Sequence, residues 1–358
     1  MAVSQELLDI SVRHQTLIER LKANEVSQFD SFLKELDQSL RERLSRSDEL
    51  TDYGIQKLNR LLNEVEGIAT GIYSRFSLAL AANMEEFAVY ETGFESRSIN
   101  AVAAVSGFES LVPASTQIWA SVKSTPLSVR DFGGGKLLDP FINDWTKKEV
   151  DAITGVIRQG AFEGKTNAEI IRTIRGTKKR KFKDGLLNVS KNHADAVVRT
   201  SVQHVANVAR SQTWDANRDI IQGYVWVSTL DSGTTITCKS LDGKLFLLGK
   251  GPKPPIHIRC RSTTAPDLKP EFDFLGDEAT RSSKDGYINQ DDNYFDWLKR
   301  QPKAFQNQEL GKTRATLFRE GGLSLAEFSK LQIDKNFKPL TLKEMRKVDP
   351  LAFERAGL

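Results

Sequence analysis

The chain has 358 residues, 39% hydrophobic and 27% charged, with a net charge of +4; that suffices for two or three domains with packed cores and excludes a disordered or fibrous class. Two cysteines cannot build a disulfide framework, and so small a positive excess does not by itself call for nucleic acid. No apolar run reaches the roughly 18 residues of a membrane span and MAVSQELLDISVRHQ has no secretory pattern, so the sequence predicts a protein made and used in a cytoplasm.

From Gln5 to about Arg46, apolar residues recur at helical spacing, among them Val26, Phe29, Leu33, Leu36, Leu40 and Leu44, which predicts one amphipathic helix or two in tandem. After the polar break SRSDELTDYG a second stripe runs through Leu58, Leu61, Val65, Ile68, Ile72, Phe76, Leu80, Met84 and Phe87. The two stripes predict a long antiparallel helical pair over 1–97, forming its own packed unit. They leave open a bundle packed on itself or an arm docking on a partner.

Residues 98–141 read as a small-residue segment followed by a linker at about 123–141, where prolines and the triple glycine of DFGGG cluster. Two helical patterns follow, separated by GAFEGKT, with Thr166 and Glu169 spaced as a capping box. Next comes a basic run containing Lys178, Lys179, Arg180, Lys181 and Lys183, either a solvated loop or a phosphate-backbone contact. A long helix from Ser190 to Arg218 precedes GYVWVSTLD, whose alternation and terminal turn residues predict a strand.

The stretch TCKSLDGKLFLLGKGPKPPIHIRC holds both cysteines and one of the four histidines. Cys238, His257 and Cys260 are candidate metal ligands, but zinc's closed tetrahedral site needs a fourth, for which Asp231, Asp242 and His204 are the candidates. The alternative is two buried thiols with the His257 ring hydrogen-bonded across the turn; a Cys/His nucleophile and base is a third option. Pro252, Pro254 and Pro255 restrict the backbone before His257 and predict a small knuckle. No Gly-rich phosphate loop, zinc-deaminase His-Glu pair or His-Glu-x-x-His motif accompanies these residues.

A helix with VVRTSVQHVAN, then GYVWVSTLDSGTTITCKSLDGKLF, then PPIHIRCRSTTAP, in that order, resembles the phage Mu F-like minor head, or head morphogenesis, family. Arg199, Thr200, Trp226, Thr229, Asp231, Cys238, Leu241, Gly243, His257, Cys260 and Arg261 carry the resemblance, which covers about 145–268. Thr235 and Ser262 stand where many members of the family have cysteine, so a family zinc site does not carry over intact. Residues 296–328 resemble a C-terminal extension found in a subset of these phage proteins.

The resemblance implies a minor structural protein of a tailed-phage head, associated with the portal or procapsid in multiple copies. It would act in head assembly and DNA packaging or delivery, first in the host cytoplasm and then in the virion head. Residues 1–97 would be a docking arm, and the basic run would face packaged DNA without sequence preference. The enzyme alternative is a metal-dependent hydrolase or toxin-like transferase built on the same domain. The poverty of 269–358 in His and Cys speaks against it, and Arg314 and Glu320 belong more simply to a helix closed by Gly321 and Gly322.

The expected fold is therefore mainly α with a small α+β domain. A helical pair (1–97) and a linker (98–141) precede a Mu F-like domain (142–268) whose strands and Cys/His knuckle follow its helices. A helical extension (269–358) ends the chain. No cofactor is expected, with zinc the one candidate.

Overall fold

The computed structural model describes residues 5–50, 54–103, 108–130, 135–272, 280–283, 286–289 and 292–358. Part of the polar break after the first stripe (51–53) and most of the Gly-rich stretch (131–134) lie outside the described residues. Among the described residues there are thirteen α-helices, a three-stranded antiparallel sheet and a two-stranded one, which is the mainly α fold with a small α+β region that the sequence predicts. No helix among them is long and apolar enough to cross a membrane.

The first stripe is a single helix, α1 (Gln5–Ser45), and the second is α2 (Ile55–Ala103). They run antiparallel, since His14 meets Glu91, Glu25 meets Asn83 and Arg43 meets Glu64. At 49 residues, α2 is roughly 74 Å long. Such a helix survives in water only if its apolar face is covered.

That cover comes from the rest of the chain. The apolar residues of α1 and α2 share one core with α3 (Ser115–Ser124), α4 (Leu138–Phe162), α5 (Asn167–Arg175) and α6 (Leu186–Ala216). At its centre, Trp145 of α4 meets Phe29, Tyr73 and Phe76 edge-on, with ring centroids 5.6–5.9 Å apart. The boundary expected at residue 97 is therefore absent: α2 continues to Ala103, and the helical pair is one side of the bundle built around α6 rather than an independent unit.

The expected linker is also packed. Asn217 at the end of α6 exchanges two hydrogen bonds with the Leu111 backbone, of 2.7 and 2.9 Å, and Leu127 and Val129 are buried. Short apolar residues between polar ones hid this packing from the periodicity. The capping box is present, with the Thr166 N–H donating to Glu169 at 2.9 Å, and Asn167 beside it donates to the Leu44 carbonyl at the end of α1.

β1 (Ile221–Val227) follows α6 and is the middle strand of the sheet, between β2 (Leu245–Leu247) and β3 (Thr263–Leu268). Tyr224 pairs with both Phe246 and Pro266, which fixes the register. Between β1 and β2 lies the short helix α7 (Ile236–Leu241). A second core, built on Trp214, Ile221, Tyr224 and Leu268, joins the sheet to Leu7 of α1 and Ile99 of α2.

The strands β4 (Thr280–Ser283) and β5 (Gly286–Asn289) pair with each other, and the remaining helices are α8 (Tyr294–Lys299), α9 (Lys303–Leu310), α10 (Lys312–Glu320), α11 (Leu325–Leu331), α12 (Leu342–Val348) and α13 (Pro350–Arg355). α10 ends at Gly321 as the sequence predicts, and Gly311 at φ 73° separates it from α9. Arg314 is structural, donating to the Gln332 side chain and the Leu340 carbonyl. These helices enclose their own core around Phe295, Trp297, Phe318, Phe328 and Phe353.

Candidate Cys/His centre and its signature shell

α7 presents Cys238 inward, and its first turn is capped by Thr235, whose hydroxyl accepts from the Cys238 N–H. Cys260 sits just ahead of β3, and both thiols are fully buried. His257 follows a cis Pro254–Pro255 bond. The Cys238 Sγ lies 3.2 Å from His257 Nε2 and 4.0 Å from Cys260 Sγ, and the three ligand atoms fall within 4.8 Å of one another. The predicted trio is thus brought together.

The His257 Nδ1 is 2.9 Å from the Ile258 carbonyl, to which it donates, so Nε2 presents its lone pair to the sulfurs. Trp226, Leu241, Ile256 and Ile333 surround the group with apolar surface. Burial pushes the Cys238 thiol well above its usual range. Burial also opposes ionisation of Cys260, but its contacts with neighbouring Cys238 and His257 outweigh it and hold that thiol well below its usual range.

Zinc held by two thiolates and an imidazole would set its ligand atoms roughly 3.5–3.8 Å apart, from bonds of about 2.3 and 2.0 Å in a tetrahedron. The spacings of 3.2 and 4.0 Å straddle that range, so the donor set fits three corners of a site. None of the candidate fourth ligands reaches it. Asp231 is engaged by Arg261, and Asp242 accepts from the Ser228 and Tyr294 N–H groups. His204 bonds the Val122 carbonyl, its pKa lowered to about 4 by burial. Among the described residues only the three form a metal-sized cluster.

The signature residues build the shell around this centre. Trp226 is fully buried, its Nε1–H donating to Ser228 Oγ at 2.9 Å. Arg261 grips Asp231 through two hydrogen bonds of 2.6 Å, and Asp231 also accepts from the Gly233 N–H. Thr229 donates weakly to the Arg261 carbonyl, and Leu241 packs against the cysteines. Gly243 turns at φ 75° while its N–H bonds the Trp226 carbonyl, a conformation that favours glycine. Arg199 pairs with Asp195 on α6 and reaches Glu19 of α1, and Thr200 accepts from the Arg259 N–H.

The basic run lies elsewhere, between α5 and α6. Lys178, Lys179 and Arg180 form an exposed 3-10 turn, followed by exposed Lys181 and Lys183. Asp184 closes the loop by accepting from the Thr177 N–H and hydroxyl, each at 2.8 Å, and the Arg175 guanidinium covers the Phe182 ring at 4.5 Å. The loop's carboxylate is thereby spent on its own backbone while the cations project.

Periodicity passed over three buried charge groups. Arg210 of α6 binds Glu91 and Glu95 of α2 at 2.6 and 3.1 Å, with His14 of α1 on Glu91 at 2.6 Å. Lys22 is fully buried and donates to Glu19, Gln203 and, at 3.4 Å, the Cys260 carbonyl. Lys239 of α7 pairs with Glu309 of α9 at 3.0 Å, tying the C-terminal helices to the knuckle. A signal existed: Glu91 and Glu95 continue the apolar ladder of Leu80, Met84 and Phe87, where a solvated charge would be out of place.

No curated protein and no solved structure matches the chain. Residues 151–265, which run from within α4 through the first half of β3 and contain every signature residue described above, match the family model described as Phage Mu protein F like protein, and over this segment the chain is similar to that family.

Proposed function

We propose that the protein is a minor structural component of a tailed-phage head, bound to the portal or capsid in multiple copies and acting in head assembly and DNA packaging or delivery. The match over 151–265 carries this reading. It is supported by what the signature residues do, since Trp226, Asp231, Gly243 and Arg261 hold a turn and a strand together through their polar groups. The exposed turn from Lys178 to Lys183 is the surface offered to packaged DNA, by sequence-independent phosphate contact. The outward residues of the helical pair, including Leu78, Val89 and Tyr90, are those offered to a head partner.

In this reading the Cys/His centre is a metal-free knuckle and the chain is not an enzyme. The Cys238–His257 hydrogen bond and the lack of a fourth ligand among the described residues support it. Quantitative mass spectrometry of purified virions, calibrated against the portal protein, tests the proposal. A fixed number of copies per portal is expected; absence from heads and procapsids alike would overturn it.

A further inference from the structure

A cavity of about 390 Å³ lies between α4 and α6, apart from the Cys/His centre. Phe141, Ala152 and Val197 line its walls and Ile258 closes one end, so it is mostly apolar. Its size falls within the roughly 300–1,000 Å³ of small-ligand pockets. Four residues of this lining, Trp145, Lys148, Glu149 and His193, carry polar groups. The Trp145 indole Nε1–H is buried and has no acceptor among the described residues. Glu149 is buried, with Oε1 held by His193 Nδ1 at 2.6 Å.

The cavity is preformed. Three aromatic rings hold Trp145 edge-on. The loop carrying Ile258 is pinned because Arg259 donates its N–H to Thr200 at 3.0 Å and its guanidinium to Asp195 and the Asn192 carbonyl. We propose that this cavity binds a flat heteroaromatic ring that accepts a hydrogen bond from Trp145 Nε1–H and donates one to the Glu149 carboxylate. A purely apolar guest would desolvate the Trp145 N–H and the Glu149 carboxyl without pairing them. A ring with adjacent donor and acceptor satisfies both while filling the apolar walls.

The test is a titration of the full chain, isotope-labelled at tryptophan, with benzimidazole, which has one ring N–H and one ring nitrogen acceptor, and with indole, which has only the N–H. Trp145→Phe identifies the indole resonance. Benzimidazole is expected to shift that resonance saturably downfield. Indole, and benzimidazole on Glu149→Gln, should each bind roughly tenfold more weakly, the equivalent of about one hydrogen bond. Ala152→Leu, which fills the cavity, should abolish the shift while leaving the circular dichroism unchanged. No saturable shift at Trp145, binding retained in Ala152→Leu, or equal affinity for the two probes would each overturn the proposal. The probe comparison needs no variant and decides the matter even if Glu149→Gln fails to fold.

Discussion

Two carboxylates one helical turn apart share a single buried guanidinium, and this sets a pH dependence that can be worked out in sign and size. Burial raises Glu95 to about 7 against an ordinary 4.5, Arg210 partly offsetting it and the neighbouring Glu91 adding to it. Burial also opposes ionisation of Glu91, but Arg210 and His14 outweigh it and hold that group low. In the folded chain Glu91 is thus the ion and Glu95 keeps its proton until near neutrality. Between pH 4.5 and 7 the native state binds a proton at Glu95 that the unfolded chain has lost. The contribution is therefore complete below the unfolded value and lost as pH rises through about 7. At about 1.4 kcal/mol per unit, the loss is on the order of 3 kcal/mol. Glu95→Gln stays neutral at all pH and can still accept from Trp214, which donates to Glu95 at 3.0 Å. Urea unfolding followed by tryptophan fluorescence should show wild type and variant alike near pH 5 and the variant more stable near pH 8, by up to that amount. Parallel stability–pH curves would refute the assignment of the proton to Glu95.

Three further outcomes are expected. Deleting residues 1–97 should leave the remainder aggregated or protease-sensitive rather than folded, because α1 and α2 supply one side of the shared core; a cooperative melt of the remainder would contradict this. Replacing Lys178, Lys179 and Arg180 by glutamine should weaken binding to duplex DNA equally across sequences and flatten the dependence of log affinity on log salt by about 0.9 for each phosphate no longer neutralised, as read from fluorescence anisotropy. Replacing both Cys238 and Cys260 by serine should cost about 1–3 kcal/mol per unsatisfied group in a metal-free knuckle. Elemental analysis finding one zinc per wild-type chain, absent from the double variant, would instead establish a structural metal.

What the sequence made legible follows from the range of the forces involved. Helices α1, α2, α4 and α6 declare themselves by apolar spacing, the start of α5 by Thr166 and Glu169, and the middle strand by the alternation in GYVWV. The Cys/His trio was legible as a cluster because its members lie within 23 positions, Cys238 to Cys260 inclusive, around a turn. The packing of the helical pair was not, because an amphipathic stripe records that a face is covered but not by what. Nor was the charge network: Glu91 finds His14 77 positions away and Arg210 119 away, and no local pattern encodes such a meeting. The cavity beside Trp145 escaped for the same reason, since it is defined by what α4 and α6 leave unfilled between them.

The two departures from the family's cysteine pattern acquire a physical sense in the folded chain. At Thr235 an oxygen replaces a family sulfur, and that oxygen caps α7 by accepting from the Cys238 N–H. At Ser262 the replacing hydroxyl lies 3.4 Å from Ser228 Oγ, which itself donates to the Cys238 carbonyl and accepts from Trp226. Both substitutions convert a position beside the thiols into part of a backbone hydrogen-bond frame. The same frame reaches outward: Gln203 on α6 donates to the Ser262 carbonyl, Lys22 on α1 to the Cys260 carbonyl, and Ser329 on α11 to the Ser240 carbonyl. The knuckle is thus held by helices from both ends of the chain, through groups that need no metal. A centre secured in this way can lose both of those sulfurs without losing its shape. That is the physical ground for reading Cys238, His257 and Cys260 as the middle of a structural joint between the N-terminal bundle and the C-terminal helices.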